Sequence, residues 1–453
     1  MTGQLRPPHP DFREAARLWG KIGLLSFGGP AGQIALMHRE LVDERRWISE
    51  SRFLHALNFC MLLPGPEAQQ LATYIGWLLH GWRGGVVAGT LFVLPGFFVI
   101  LGLSAAYALF QEASWMASLF FGLKAAVLAI VIEAVLRVAK RSLKNNLMLL
   151  LAGLSFVALF CFDVPFPVVV VAAGLIGYGG SRIRPALFVA GGHRGAGSTD
   201  SPSVIDDLHV GRPASAKAAL SAIVFWAALW LLPFLLIAIL AGADGVYDNI
   251  AVFFSQMAVV TFGGAYAVLS YVAQQAVDHY HWLRPGEMLD GLALAETTPG
   301  PLVLVLTFVG FMAAFRSPGD LTPLAGGIVG AILTTWVTFV PCFLWIFLGA
   351  PYVEKLRANV ALSGALAAIS AAVTGVLLNL AVWFALHVLF SEVGKVEAGP
   401  LSIAWPDFGS LNPYALLLAG LSAVMVFRFK TGTITTLSIC GVIGVVLTQA
   451  GLA

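Results

Sequence analysis

Residues 27–66 read FGGPAGQIALMHRELVDERRWISESRFLHALNFCMLLPGP, and residues 262–301 read FGGAYAVLSYVAQQAVDHYHWLRPGEMLDGLALAETTPGP. At a constant offset of 235 the two stretches share eleven identities in forty positions without a gap. The matches include Phe27-Gly28-Gly29 with Phe262-Gly263-Gly264, Trp47 with Trp282, and Pro64-Gly65-Pro66 with Pro299-Gly300-Pro301. Chance identities are common in Leu-rich sequence, but FGG, Trp and PGP recurring at one offset are not. The chain is therefore read as two related halves.

The surroundings of this repeat are strongly apolar. Of 453 residues, 58% are hydrophobic and 11% charged, against about a quarter charged in a soluble domain. Val86–Phe110 and Ala218–Ala243 carry no charge at all, and each exceeds the roughly 20 residues that cross a bilayer as a helix. Hydrophobic segments lie near 14–37, 52–79, 86–110, 116–136, 146–162, 165–180, 218–243, 250–272, 286–315, 322–350, 359–390, 412–427 and 433–453. Lipid cannot satisfy backbone polar groups, and the segments lack the alternation of barrel strands. The expectation is an all-α integral membrane protein of about 12–13 transmembrane helices, in two homologous and inverted halves. The halves are 1–180 and 218–453, the second with one extra helix, joined by a polar linker at 181–217 rich in Gly, Ser, Pro and Asp.

Charge sets the expected orientation. Arg137, Lys140, Arg141 and Lys144 cluster in one connection, and Arg428 and Lys430 in another, while Asp244, Asp248, Glu392, Glu397 and Asp407 lie between other segments. This alternation places the N-terminus in the cytoplasm. His38–Arg52, with four arginines and four acids, dissents: either that loop is external or the first two segments re-enter the membrane. The net charge of +2 gives no footprint for nucleic acid, and four scattered cysteines give neither a disulfide framework nor a zinc site. No metal or cofactor is expected, and no cleavable signal peptide is expected after the polar, Pro-rich start of the chain.

Gly-Gly and Pro-Gly-Pro interrupt helices, because proline lacks the backbone donor and glycine costs about 1 kcal/mol relative to alanine. Breaks at matched positions of two halves point to discontinuous helices whose freed N–H groups suit an anion. The candidate substrate-binding set is Gly28, Gly29, Gln33, Pro64, Gly65, Pro66, Gln69, Gln70, Gly263, Gly264, Thr297, Thr298, Pro299, Gly300 and Pro301. Glu67 and Glu296, each beside a PGP, are candidates for proton coupling, and equally for capping a helix end. Arg39, Arg45, Arg46 and Lys124 could line an anion-collecting vestibule; a solvated charged face, or neutralisation of Glu133 by Lys124, is the bland alternative.

The runs FGGPAGQIALMHRELVDERRW, LLPGPEAQQLATYIGWLLHGWRGG and VLPGFF, with TFGGAYAVLSYV and ETTPGPLVLVLTFVGF in the second half, resemble the chromate ion transporter family in its long two-domain form. The resemblance covers essentially the whole chain. It implies secondary active export of chromate from the cytoplasm across the inner (plasma) membrane, driven by protons or potential and conferring chromate resistance. Sulfate, similar in size and charge, is the alternative cargo, and an uncoupled anion channel the alternative mechanism. The implied partners are the oxyanion and the lipid bilayer, with a homodimer compatible. No HExxH, GxSxG or P-loop supports an enzyme or a self-contained ATP-driven pump.

Overall fold

The computed structural model describes residues 7–27, 29–111, 113–188, 203–205, 216–240, 245–262, 265–350, 359–399 and 401–452. The first half comprises α1 (Phe12–Leu25), α2 (Gly29–His38, prolonged by a π-helical turn Arg39–Glu44), α3 (Glu50–Cys60), α4 (Glu67–Phe110), α5 (Ser114–Ser142), α6 (Asn146–Phe162) and α7 (Phe166–Ile183). A short turn, α8 (Pro185–Phe188), and α9 (Ala216–Leu240) follow. The second half repeats the order with α10 (Val246–Val260), α11 (Ala265–Gln274), α12 (Glu287–Glu296), α13 (Val305–Arg316), α14 (Pro323–Gly349), α15 (Val360–Leu389), α16 (Pro413–Ala423) and α17 (Thr433–Gln449). The expected all-α class with helices broken at FGG and PGP is what the chain adopts. Most of the expected linker 181–217 lies outside the described residues. Within it, Val204 and Ile205 donate backbone hydrogen bonds to the carbonyls of Arg46 and Trp47.

The α4 helix cannot be one straight rod. Forty-four residues would extend about 66 Å, twice the hydrocarbon thickness. His80 and Gly81 leave helical geometry, with φ +64° at Gly81. A Cβ placed on Gly76 would lie 2.6 Å from Ala88 Cβ, whereas twelve residues of straight helix span about 18 Å. So Glu67–Leu79 and Trp82–Phe110 are two limbs folded against each other. The second half makes the same reversal openly, between α13 and α14, where the loop 317–322 replaces the kink and a Cβ on Gly330 would meet Ala314 Cβ at 2.6 Å.

The FGG and PGP motifs also sit at reversals. Lys21 on α1 reaches Glu40 beyond α2 at 2.6 Å, where nineteen helical residues would separate them by about 28 Å. Phe253 of α10 meets Tyr280 edge-on, ring centroids 5.4 Å apart. Phe59 of α3 meets Tyr74 of α4 at 5.2 Å, and a Cβ on Gly291 of α12 would lie 2.7 Å from the Phe308 ring of α13. Segments 14–37 and 52–79 are thus each a helical hairpin with its motif at the tip. This is the re-entrant alternative for His38–Arg52. Hydropathy alone could not separate it from a span, because both limbs are apolar. Corresponding bends even share backbone strain: Arg46 and His281, matched by the repeat, both take φ 54°.

Beyond the hairpins the halves exchange partners. The α5 helix packs on α16 and α17, and α15 on α6 and α7. Small residues permit the close approach: Ser422 donates to the Ala125 carbonyl at 3.0 Å, and a Cβ on Gly177 would lie 2.6 Å from Ala368 Cβ. Among the described residues, six helices are long and apolar enough to cross a membrane. The outer faces of α6, α7 and α9 present exposed side chains such as Leu150, Leu175 and Leu235, which lipid covers without penalty. A β-hairpin, Val393–Ala398 paired with Leu401–Pro406, follows α15; nothing in the hydropathy announced it.

At the open end of the α1/α2 hairpin, Glu40 is buried, and burial alone would raise its pKa. Lys21 and Arg45 prevail and hold it below the ordinary carboxylate range. A depressed carboxylate stabilises above the unfolded-state value and loses that contribution as pH falls through the folded one. Glu40→Gln should therefore cost about 1–2 kcal/mol at neutral pH, discounted for the exposed ends of both cations. Melting temperatures in detergent should show the gap to wild type closing as pH drops below about 4. A gap independent of pH would exclude this ion-pair account.

Candidate functional site

The four hairpin tips meet crosswise. The Gly65 N–H of the first PGP donates to the Thr261 carbonyl before the second FGG, at 2.8 Å. The Gly300 N–H of the second PGP donates to the Ser26 carbonyl before the first FGG, also at 2.8 Å. Ser26 and Thr261 are themselves matched by the repeat, and both are buried. Their hydroxyls donate one turn back, to Ile22 and Met257, at 2.6 and 2.5 Å. Each hydroxyl thus closes the end of its own helix while each carbonyl receives the other half's break. Gly65 and Gly300 take φ +119° and +91°, the region where a side chain is strained. Helix α14 packs on the first tip and the second limb of α4 on the second tip: a Cβ on Gly65 would meet Cys342 Sγ at 2.8 Å, and one on Gly300 would lie 3.6 Å from Gly96 Cα.

The expected N–H donors of the two central glycines are therefore already committed to the partner half. The side-chain amides are committed too. Gln33 Nε2 donates to the Gly300 carbonyl at 2.6 Å, Gln70 Nε2 to the Pro64 carbonyl at 2.7 Å, and Gln69 Nε2 to Thr73 Oγ1 at 3.2 Å. All three amides come from the first half. The second half has Val268 and Val305 at the positions matched to Gln33 and Gln70. Thr297 and Thr298 both donate to the Leu294 carbonyl, at 2.9 and 2.7 Å, and so terminate α12. Gly29 starts α2 with φ +72°; Gly28, Gly263 and Gly264 lie outside the described residues.

What stays unpartnered is informative. Gln69 Oε1 and Gln70 Oε1 on α4, and Thr338 Oγ1 on α14, are buried with no hydrogen-bond partner. The two helices pack against each other, and Thr338 stands one turn before Cys342. Thr334 Oγ1, a further turn away and set against Gly310 of α13, is unpartnered as well. Each orphan costs about 1–3 kcal/mol. The α14 threonines carried no motif and were not among the sequence candidates; their signal is only polarity at four-residue spacing within an apolar run.

The carboxylates are at the tips. Glu296 is buried and accepts a hydrogen bond from the Tyr266 hydroxyl. Glu67 is half-buried at the start of α4. Helix α5 runs past both: Arg141 acts electrostatically on Glu67, and the Arg137–Glu133 pair acts on Glu296.

The expected vestibule cations are elsewhere. Arg39 faces Glu44 at 3.8 Å, and Arg45 grips Glu40 at 2.5 Å and Glu44 at 3.5 Å. With Arg46 they lie at the open end of the α1/α2 hairpin, a helix length from its tip, so the structure does not bring them to the PGP motifs. Lys124 pairs with buried Asp290 at 3.2 Å rather than with Glu133, which takes Arg137 at 2.5 Å. Tyr107 also donates to Asp290, at 2.9 Å. Nearby, Arg316 holds Glu287 through two bonds of 2.8 and 2.7 Å. These groups form a second polar layer towards the α12 start. Asp290, Tyr107 and Tyr266 were not anticipated, because a single polar residue in an apolar run gives no partner.

A family model described as "Chromate transporter" matches residues 13–178 and 249–445, which are nearly all of α1–α7 and of α10–α17. A chromate transport protein of Pseudomonas aeruginosa is 32% identical over 435 residues, covering 94% of this chain and 95% of the relative. One from Cupriavidus metallidurans is 30% identical over 379 residues, 83% of this chain and 84% of the relative. An uncharacterised transporter of Methanocaldococcus jannaschii is 26% identical over 376 residues, 82% of this chain and 84% of the relative. No solved structure matches the chain.

The tip geometry ranks two substitutions. Gly65→Ala meets both a left-handed φ and contacts of 2.8 Å to Cys342 Sγ and 3.0 Å to Gln70 Nε2, whereas Gly300→Ala meets its nearest neighbour at 3.3 Å. Both should lose about 1–3 kcal/mol from backbone strain, with Gly65→Ala the worse. Thermal unfolding of the purified variants measures the order, and the reverse ranking would contradict this tip packing.

Proposed function

The chain belongs to the chromate transporter family, and from that premise we propose that it carries chromate out of the cytoplasm by alternating access between its two halves. The observation that carries this reading is the crossed tip pairing with orphaned polar atoms beside it. Tips joined through two backbone hydrogen bonds and the Gln33 amide can part at modest cost, since each bond is worth about 1 kcal/mol net. Parting frees the Gly65 and Gly300 N–H groups, and a tetrahedral oxyanion has acceptors on every face to take them. Gln69, Gln70 and Thr338 stand at the same junction with capacity unspent.

The reversals of the chain support a topology. The bends at 45–49, 80–81, 142–146 and 183–185 fall on one side, and those at 110–114, 162–166, 316–323 and 389–413 on the other. The first side carries Arg39, Arg45, Arg46, Arg83, Arg137, Lys140, Arg141 and Lys144, so it is the cytoplasmic side of the inner membrane. Helix α9 adds one crossing, which makes the second half inverted and the transport site central. Glu67 and Glu296, at the tips, are the groups through which a proton gradient biases the two states. Export against chromate entry gives resistance.

Inverted membrane vesicles test this. Vesicles with the protein should accumulate radiolabelled chromate several-fold over vesicles without it, and an uncoupler should abolish the difference. Uncoupler-resistant uptake would mean a channel. Uptake of sulfate with no chromate uptake would replace the cargo. Uptake with unchanged pH dependence in the Glu67→Gln, Glu296→Gln double variant would remove the coupling role.

A further inference from the structure

Helix α5 carries an arrangement that the transport reading does not use. Glu133, Arg137 and Arg141 recur at four-residue spacing and share one face. That face is open: the side chains of Glu133 and Arg137 are 39% and 48% exposed, and Arg141 is exposed. Yet it adjoins the closed centre. Arg141 Nη2 points at Met61 Sδ, just before the first PGP, and acts on Glu67 at that tip. The Arg137–Glu133 pair acts on Glu296 and Tyr266 at the other tip. The same stripe thus contacts the surroundings of one break and acts electrostatically on those of the other, from an exposed position.

Two features separate this from ordinary basic residues at a membrane edge. Arg141 spends its described hydrogen bond on a thioether, a weak acceptor, although the carboxylate of Glu67 lies near. Among the described residues Arg137 is held by an exposed pair on its own helix, which an oxyanion can displace because guanidinium forks match oxyanion geometry.

We infer that Arg137 and Arg141 form an oxyanion-capture site that hands the substrate to the PGP tips, with Glu133 as its internal competitor. This rests on the oxyanion-transport reading. An arriving dianion bridges the two guanidiniums, replacing Glu133 on Arg137 and the thioether contact on Arg141. From there the tips are the next polar groups inward. Glu133 keeps Arg137 neutralised while the site is empty, and retakes it once the anion moves on.

The test uses the full chain, purified and reconstituted. Arg141→Lys and Arg137→Lys keep the charge and lose the fork. Each should raise the KM for chromate on the order of tenfold with a much smaller change in kcat. Glu133→Gln should lower KM about threefold, by removing the competitor. Arg182→Gln, which removes an exposed charge from α7, should leave KM unchanged. Chromate- and sulfate-induced shifts in melting temperature, measured on the same preparations, should follow the same order. The inference is overturned alone if wild type shows oxyanion shifts that both Arg→Lys variants retain in full, if Glu133→Gln weakens binding, or if Arg182→Gln matches the α5 arginine variants. Wild type that responds to neither oxyanion, in uptake or melting, overturns this inference together with the reading beneath it.

Discussion

Two backbone hydrogen bonds of 2.8 Å, Gly65 to Thr261 and Gly300 to Ser26, are the constraint around which the rest of the molecule is arranged. Within a bilayer an interrupted helix leaves polar groups that lipid cannot satisfy. This chain breaks four helical hairpins at their tips and satisfies the breaks against one another. That solution demands partners at the same depth, which a second copy of the same segment supplies. The left-handed glycines, the back-bonded hydroxyls of Ser26 and Thr261, and the apposed Cys342 and Gly96 all follow from bringing two loops of backbone within hydrogen-bonding distance.

The symmetry stops at the side chains. Gln33 and Gln70 hold the carbonyls of both PGP motifs, and their counterparts in the second half are valines. In the second half Glu296 and Tyr266 stand where the first half has Met61 and Ala31. One half thus provides the neutral amides beside its own acid, Glu67, and the other an acid with its phenol. The ion pairs divide the same way: Lys124–Asp290 and Arg316–Glu287 lie towards one end of the bundle, Arg137 and Arg141 towards the other. A symmetric scaffold here carries asymmetric chemistry, so the two halves present unlike groups to the junction between them.

Much of this scaffold was legible because it is written in identities. The constant offset paired FGG with FGG and PGP with PGP, and helix-breaking residues in matched apolar runs announced discontinuous helices. The fold-back was not legible. Hydropathy averages over both limbs of a hairpin, so 14–37 and 52–79 read as spans, and only contacts such as Lys21 with Glu40 reveal the reversal. Pairing partners were hidden for the same reason. Arg45 looked available until Glu40 proved to be folded beneath it, and Lys124 was set against Glu133 because its partner Asp290 belongs to the other half of the chain. Glu67, Glu296, Gln69 and Gln70 stood out, since polarity beside a break is visible without knowing the fold.

The orphaned atoms indicate what the latched state is waiting for. A buried oxygen without a partner is costly, and those of Gln69, Gln70 and Thr338 would cost about 3–9 kcal/mol together if they stayed dry. Breaking both latches and the Gln33 bond to Gly300 costs about 1.5–4.5 kcal/mol net. Gln70 adds a mechanical link. Its amide holds the Pro64 carbonyl while its oxygen is unspent, so a ligand that engages the oxygen pulls on the break itself. On the proposed transport reading, occupancy of the junction and release of the latch are coupled through this one side chain.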